Sequence, residues 1–254
     1  MVVVLGALWE AINAEDSWWP FVLPLGLWIV AFLYCYLPSN NNERPVFHKW
    51  STLHNFFNYT AIVLGVASLY FNDDTVFNER IVILWSLSYF SVDLIDCLIR
   101  GDVAFSLHAV FCLVIGVWNH NKPLCREIRA NSKAMFFELS SPFLVLAKQT
   151  RKPHHFAMFA IVFTVCRIVW IPILIYSLQQ HDMPLTDPYR IVLTAFYGLN
   201  LYWYYKVSAI LLLCPQTNAY SQLYLLADCS YSSCRKKEVK EEGLIYLERQ
   251  SYKA

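Results

Sequence analysis

Charge is what this chain has least of. Only 15% of its 254 residues are Asp, Glu, Lys or Arg, against 57% hydrophobic residues, and the mean hydropathy is +0.38. That balance lies far from the composition of soluble domains and excludes an ordinary water-soluble globule. A concentrated basic face is also missing, since the net charge is +1, so a nucleic-acid partner is excluded. The eight cysteines, at positions 35, 97, 112, 125, 166, 214, 229 and 234, lack the paired spacing of a metal site, and no metal or other cofactor is expected. No internal repeat, Gly/Ser-rich linker or separate soluble domain is visible. The N-terminal stretch MVVVLGALWEAINAEDS has no basic start and carries Glu10, Glu15 and Asp16, so it is expected to be retained rather than cleaved as a signal peptide.

Long apolar runs are what the chain does have. A helix needs roughly 20 mostly apolar residues to cross a bilayer. Candidate spans fall at residues 18–37, 48–71, 80–100, 103–118, 132–147, 156–178 and 189–213, with Trp18 and Trp19 placed where a membrane interface would be. The fourth and fifth runs are short, and a re-entrant pair is the alternative to two crossings there. The pattern predicts an all-α integral membrane protein, a bundle of six or seven transmembrane helices. Its parts are an N-terminal segment with the first helix at 1–44, a helical domain at 45–213 and a tail at 214–254. Most Lys and Arg fall in the loops around 39–50, 100–102 and 148–155 and in the tail, which predicts a cytosolic C-terminus and an N-terminus that is lumenal or extracellular. In the tail, Cys229 and Cys234 beside Arg235, Lys236 and Lys237 suit reversible palmitoylation, with unmodified thiols the plainer reading. Cys35, Cys97, Cys112 and Cys166 lie in apolar runs and read as small apolar fillers.

Against this background, polar residues inside the spans stand out. In the third span Ser86, Tyr89, Asp93, Asp96 and Arg100 are three or four apart, so on a helix they form one stripe that must face inward. Asp96 and Arg100 can pair along the helix, which leaves Asp93 in need of another donor. Other spans contribute His54, His108, Glu138, Arg167 and Asn200. Lipid-facing placement of such groups costs several kcal/mol each, so they predict a polar-lined cavity between helices; a polar lock without a ligand is the alternative. Pro142 and Pro172 each free a backbone carbonyl within a span and suit kinks that widen a cavity.

Taken in order, the residues carry a resemblance. His48-Lys49-Trp50 with His54-Asn55, Tyr89-Phe90 with Asp93 and Asp96, His108, the run Glu138-Leu139-Ser140-Ser141-Pro142-Phe143-Leu144, Arg167-Ile168 with Pro172, and Asn200 with Trp203 resemble the successive signatures of the TLC-domain family. That family includes ceramide synthases and several lipid-associated proteins of the endoplasmic reticulum. The resemblance covers about residues 45–213 and implies a helical bundle enclosing a lipid-accessible chamber in the endoplasmic reticulum or a related secretory membrane. Ceramide synthases carry adjacent histidines on the span that corresponds to 103–118. Here His108 is followed by Ala109, and no homeobox-like segment is present, so the chain resembles the smaller TLC-domain proteins more than a full ceramide synthase.

Two chemistries follow from the resemblance and the polar residues together. As a lipid binder that influences membrane lipid composition, the protein would line its chamber with Tyr89, Arg100, Glu138, Ser141, Arg167, Asn200 and Trp203, with an arginine meeting an anionic head group. As an N-acyltransferase acting on a sphingoid base or other lipid amine, it would use His108 as base or nucleophile, Asp93 or Asp96 to orient it and His54 as a second imidazole. Acyl-CoA would then be a co-substrate, its phosphates meeting Lys148, Arg151 and Lys152. Ala109 weighs against the enzyme. A seven-helix transporter or receptor ranks last.

Overall fold

The computed structural model describes residues 18–37, 45–71, 77–150 and 152–213. Among the described residues the chain is helical, without strands. The helices are α1 (Trp19–Tyr36), α2 (Pro45–Phe71), α3 (Glu79–Arg100), α4 (Val103–Asn121), the short α5 (Pro123–Glu127) and α6 (Ala130–Ala134), α7 (Ser140–Thr150), α8 (Pro153–Gln180) and α9 (Pro188–Leu213). Four of them, α1, α3, α4 and α8, are long and apolar enough to cross a membrane. With 27 and 26 residues, α2 and α9 also have the length, and both carry more polar residues.

The distribution of apolar side chains is that of a membrane protein. In α1, Trp28, Phe32 and Cys35 are spaced one helical turn apart and buried, while Leu27, Val30 and Leu33 on the opposite side are 66%, 67% and 60% exposed. In water, each of those exposed side chains would forgo about 1.5–3 kcal/mol of burial. Against hydrocarbon nothing is lost, so the outer face of α1 is the lipid face.

Helix α3 is the centre of the bundle and packs on α1, α2, α4 and α6. Its start is capped by the Asn78 side chain, which accepts from the Ile81 N–H at 2.9 Å. It ends at Gly101, whose φ of +69° is the left-handed conformation that glycine adopts freely, with the Asp102 N–H reaching back to the Cys97 carbonyl at 2.9 Å. Asp102 then caps α4 by accepting from the Phe105 N–H at 3.2 Å. The tight junction lays α3 against α4. At about 1.5 Å per residue, it sets Asp93 and His108 at nearly equal depth, eight and seven residues from the turn.

Two apolar clusters flank this hairpin. One joins α1, α2 and α3 through Trp28, Phe32, Phe57, Tyr89 and Phe90, with Phe57 stacked flat on Tyr89 at 3.6 Å between ring centres. The other joins α4, α6, α8 and α9 through Ile115, Ile171, Leu174, Leu178, Leu193 and Phe196.

Residues 132–147, expected as one short span, are in three pieces: the end of α6, a 3-10 segment at Met135–Leu139, and α7. The physical cause lies partly on another helix. The buried Glu79 carboxylate accepts the Asn131 N–H at 2.7 Å and the Ser132 N–H at 3.0 Å, together with the Ser132 hydroxyl, and so seals the start of α6 inside the protein. Residues 103–118, also expected as short, belong to the 19-residue helix α4, which is long and apolar enough to cross a membrane. Helix α8 contains a π-helical turn at Thr164–Val169, the kind of widening often found at functional positions.

Candidate functional site

The inward stripe of α3 lies as its spacing predicts. Ser86, Tyr89, Asp93 and Asp96 are buried, whereas Ile95, Leu98 and Ile99 are exposed on the other side. Within the stripe the side chains divide into separate partnerships. The Tyr36 hydroxyl, on α1, donates to Asp96 Oδ1, and Arg100 pairs with Asp96 Oδ2 one turn along the helix. The same Arg100 guanidinium lies 3.6 Å from Cys97 Sγ and over the Trp50 ring. His54 Nδ1 is hydrogen-bonded to the Tyr89 hydroxyl. Ser86 donates to its own helix, at the Val82 carbonyl, 2.9 Å away.

Asp93 makes no hydrogen bond or ion pair with another described residue. Its carboxylate lies near the carboxylate of Asp96 and the thiol of Cys97, and ligand atoms from the three residues lie within 4.8 Å of one another. The Arg100 guanidinium already pairs with two of that group, so a positive charge is supplied there by the protein itself.

A second polar centre is built on the π turn of α8. Arg167 is buried and its guanidinium is held on every side. Nε donates to the Phe137 carbonyl and the Ser140 hydroxyl, each at 3.0 Å; Nη1 donates to Asn200 Oδ1 at 3.3 Å; Nη2 donates to Ser141 Oγ at 3.4 Å and faces Glu138 Oε2 at 3.6 Å. Ser141 in turn donates to Glu138 Oε2 at 3.2 Å, and Asn200 Nδ2 to the Phe196 carbonyl at 2.8 Å. The broken helix explains the fit: the 3-10 segment presents a backbone carbonyl and a carboxylate together, and the π turn advances Arg167 to meet both. One carbonyl of the wide turn, that of Ile168, accepts from the Tyr197 hydroxyl at 3.4 Å.

His108 lies between these centres in an aromatic setting. Its ring stacks on Phe196 at 5.5 Å and meets Trp203 at 5.5 Å and Phe90 at 5.9 Å. Neither Asp93 nor Asp96 is hydrogen-bonded to it, and His54 belongs to Tyr89. The structure therefore brings Glu138, Ser141, Arg167 and Asn200 together, pairs Asp96 with Arg100 and His54 with Tyr89, and packs Trp203 on His108. The expected grouping of His108 with an orienting carboxylate and a second imidazole does not form. Of the proposed phosphate cluster, Lys148 is half-buried and Lys152 is exposed at the cap of α8, while Arg151 lies outside the described residues, as do Cys229 and Cys234.

Beside the Arg167 centre runs a groove of about 380 Å³ between α2 and α7, lined by Asn55, Tyr59, Leu139, Pro142, Phe143, Val145, Leu146 and Gln149. Leu139 and Pro142 are chain neighbours of Glu138 and Ser141, and Asn55 of His54. The apolar groove thus runs along the outside of the wall whose inner side is polar.

Two participants carry no distinctive local signal. Tyr36, at the end of α1, reads as an interfacial aromatic. Cys112 reads as a filler, although its position four residues after His108 is the spacing that brings two side chains together on a helix, and its Sγ lies 3.6 Å from His108 Nε2.

A helical membrane bundle with a polar interior and lipid-facing exterior is the class that this architecture defines. The TLC-domain profile matches residues 15–217, most of the chain, and the protein belongs to the TLC-domain family, a membrane protein related to lipids. No curated protein and no solved structure matches the chain.

Proposed function

We propose that the protein binds a membrane lipid between α2, α7 and α8 and so influences membrane lipid composition. The observation that carries this reading is the Arg167 centre beside the groove. A guanidinium with carbonyl, hydroxyl, amide and carboxylate partners is held near an apolar cleft of 380 Å³, within the size range of small-molecule sites. An acyl chain suits the groove, because the medium that reaches it is the bilayer. A polar head suits Arg167, whose pairing with Glu138 at 3.6 Å is loose enough for an anionic group to compete. The composition of the loops supports a cytosolic C-terminus, and the family supports a secretory membrane such as the endoplasmic reticulum. The acyltransferase reading has less support in its carboxylate-assisted form, since Asp96 is committed to Tyr36 and Arg100 and Ala109 stands beside His108.

Native mass spectrometry of the detergent-purified protein tests the proposal. The expected result is a lipid adduct that weakens in Leu146→Trp, which fills the groove, and persists in a control change on the lipid face such as Val30→Leu. Equal adducts in both variants, or none in the wild type after purification with added lipid, would reject it.

A further inference from the structure

Ser51, Asn55 and Tyr59 are four residues apart on α2, so their side chains form one row along the helix. The first is engaged from across the groove, where Gln149 Nε2 of α7 donates to the Ser51 hydroxyl at 3.2 Å. The other two line the groove, and neither is hydrogen-bonded to another described residue. With Gln149 set aside, Asn55 and Tyr59 are the polar members of a lining that is otherwise Leu, Pro, Phe and Val.

Both present donors to the opening. Asn55 Oδ1 is buried away from it and has no partner, so the end of the planar amide left to face the groove is the Nδ2 amino group. Tyr59 is 56% exposed, and its hydroxyl adds a second donor one turn further along. The two residues sit near the middle of a 27-residue helix, away from the water at either end. Hydrocarbon offers no acceptor there, so a groove filled by acyl chain alone strands both groups. Leu and Phe would fill the same space without that penalty.

We infer that Asn55 and Tyr59 recognise a lipid carbonyl oxygen, so that the groove selects ester-linked acyl lipids over ether-linked lipids of the same length. A carbonyl oxygen has two lone pairs and no proton, which makes it the complement of two neighbouring donors. An ether linkage lacks that projecting oxygen and leaves both donors unmet. No charged side chain lines the groove, so it reads the chain linkage and not the head group. Head-group contact falls to Arg167 in the lipid-binding reading above, on which this inference rests.

The test offers the purified full chain an equimolar mixture of two phosphatidylglycerols with the same chain lengths, one ester-linked and one ether-linked, and counts each adduct by native mass spectrometry. The expected result is a preference for the ester lipid of about 5–10-fold, from two hydrogen bonds of the strength usual between membrane helices. Tyr59→Phe, which removes one oxygen from a half-exposed side chain, should reduce the preference about threefold. Adding Asn55→Leu should bring the ratio to about one while the ether adduct stays as abundant as in wild type. Equal adducts in the wild type would overturn the inference and leave the lipid-binding reading standing, as would a preference that Tyr59→Phe and the double variant leave unchanged. Wild-type protein that takes up neither lipid would reject that reading and this inference with it.

Discussion

Replacing Arg167 with Met should expose the energetics of the buried centre. The substitution removes the partner of Glu138 and four hydrogen bonds, to the Phe137 carbonyl, Ser140, Asn200 and Ser141. Hydrogen bonds between membrane helices average about 0.6 kcal/mol, so those four amount to roughly 2.4 kcal/mol. Stranding one partner of a buried ion pair costs about 3–5 kcal/mol, which makes the orphaned carboxylate the larger effect. At about 2–4 °C per kcal/mol for a chain of this size, the two effects together should lower the melting temperature of Arg167→Met by roughly 11–30 °C. If the stranded charge dominates, adding Glu138→Leu should restore stability rather than subtract from it, because the double variant buries no unpaired charge. Thermal melting in one fixed detergent, with all four members of the cycle, measures this. A double variant no more stable than Arg167→Met would refute the argument. So would an Arg167→Met protein that melts within about 2 °C of wild type, because the pair would then hold nothing in place.

Gly65→Ala should destabilise by about 1–3 kcal/mol, because a Cβ there meets both Met135 Cβ and the Ser132 carbonyl oxygen at 3.0 Å, and Ser132 is fixed by Glu79. The effect would be read by melting; Gly116→Ala, whose Cβ would meet the Leu87 side chain at 2.7 Å and no backbone atom, is the comparison in which a rotamer change can give relief. Asp187 should give the protein an acid-sensitive corner outside the spans. Partial desolvation raises its carboxyl, but hydrogen bonds from Lys122 and the Tyr189 N–H, with the charges of Lys122 and Arg190, outweigh it and leave the group below its ordinary value of 3.8. A lowered carboxyl contributes stability that is complete above the ordinary value and lost as pH falls through the folded one. Melting should therefore drop more steeply on acidification below that value in wild type than in Asp187→Asn, and parallel pH profiles would contradict the assignment.

Much of the bundle was legible because the relevant period is short. Ser86, Tyr89, Asp93, Asp96 and Arg100 share one face by spacing alone, and a charged face in an apolar run has only the interior to meet. Glu138, Arg167 and Asn200 were visible singly as polar residues at membrane depth, and their convergence followed from there being one interior. Glu79 was not legible, since an acid at the start of a span is normally solvated, and nothing local says that its oxygens seal α6. The break in residues 132–147 was hidden for the same reason: it depends on a carboxylate more than fifty residues away. Pairing within the polar set also depends on rotation about each helix axis, which is why His54 meets Tyr89 and His108 meets Cys112 instead of each other.

The wide turn in α8 has a consequence for how the chain tolerates changes of length. Phe159, Ala160 and Phe163 before it and Ile171, Leu174 and Leu178 after it pack into different apolar clusters, so the two halves keep separate registers. Losing a residue in the middle of an ordinary helix rotates everything beyond it by about 100° relative to what came before. A π turn already holds one residue more than a plain α-helix requires, and a single deletion within Thr164–Val169 would be absorbed by its collapse to regular helix. Both clusters would stay seated while the guanidinium between them swung away from Glu138. That turn is the slack link of the chain, the stretch where shortening does least harm to the scaffold and most to the centre it carries.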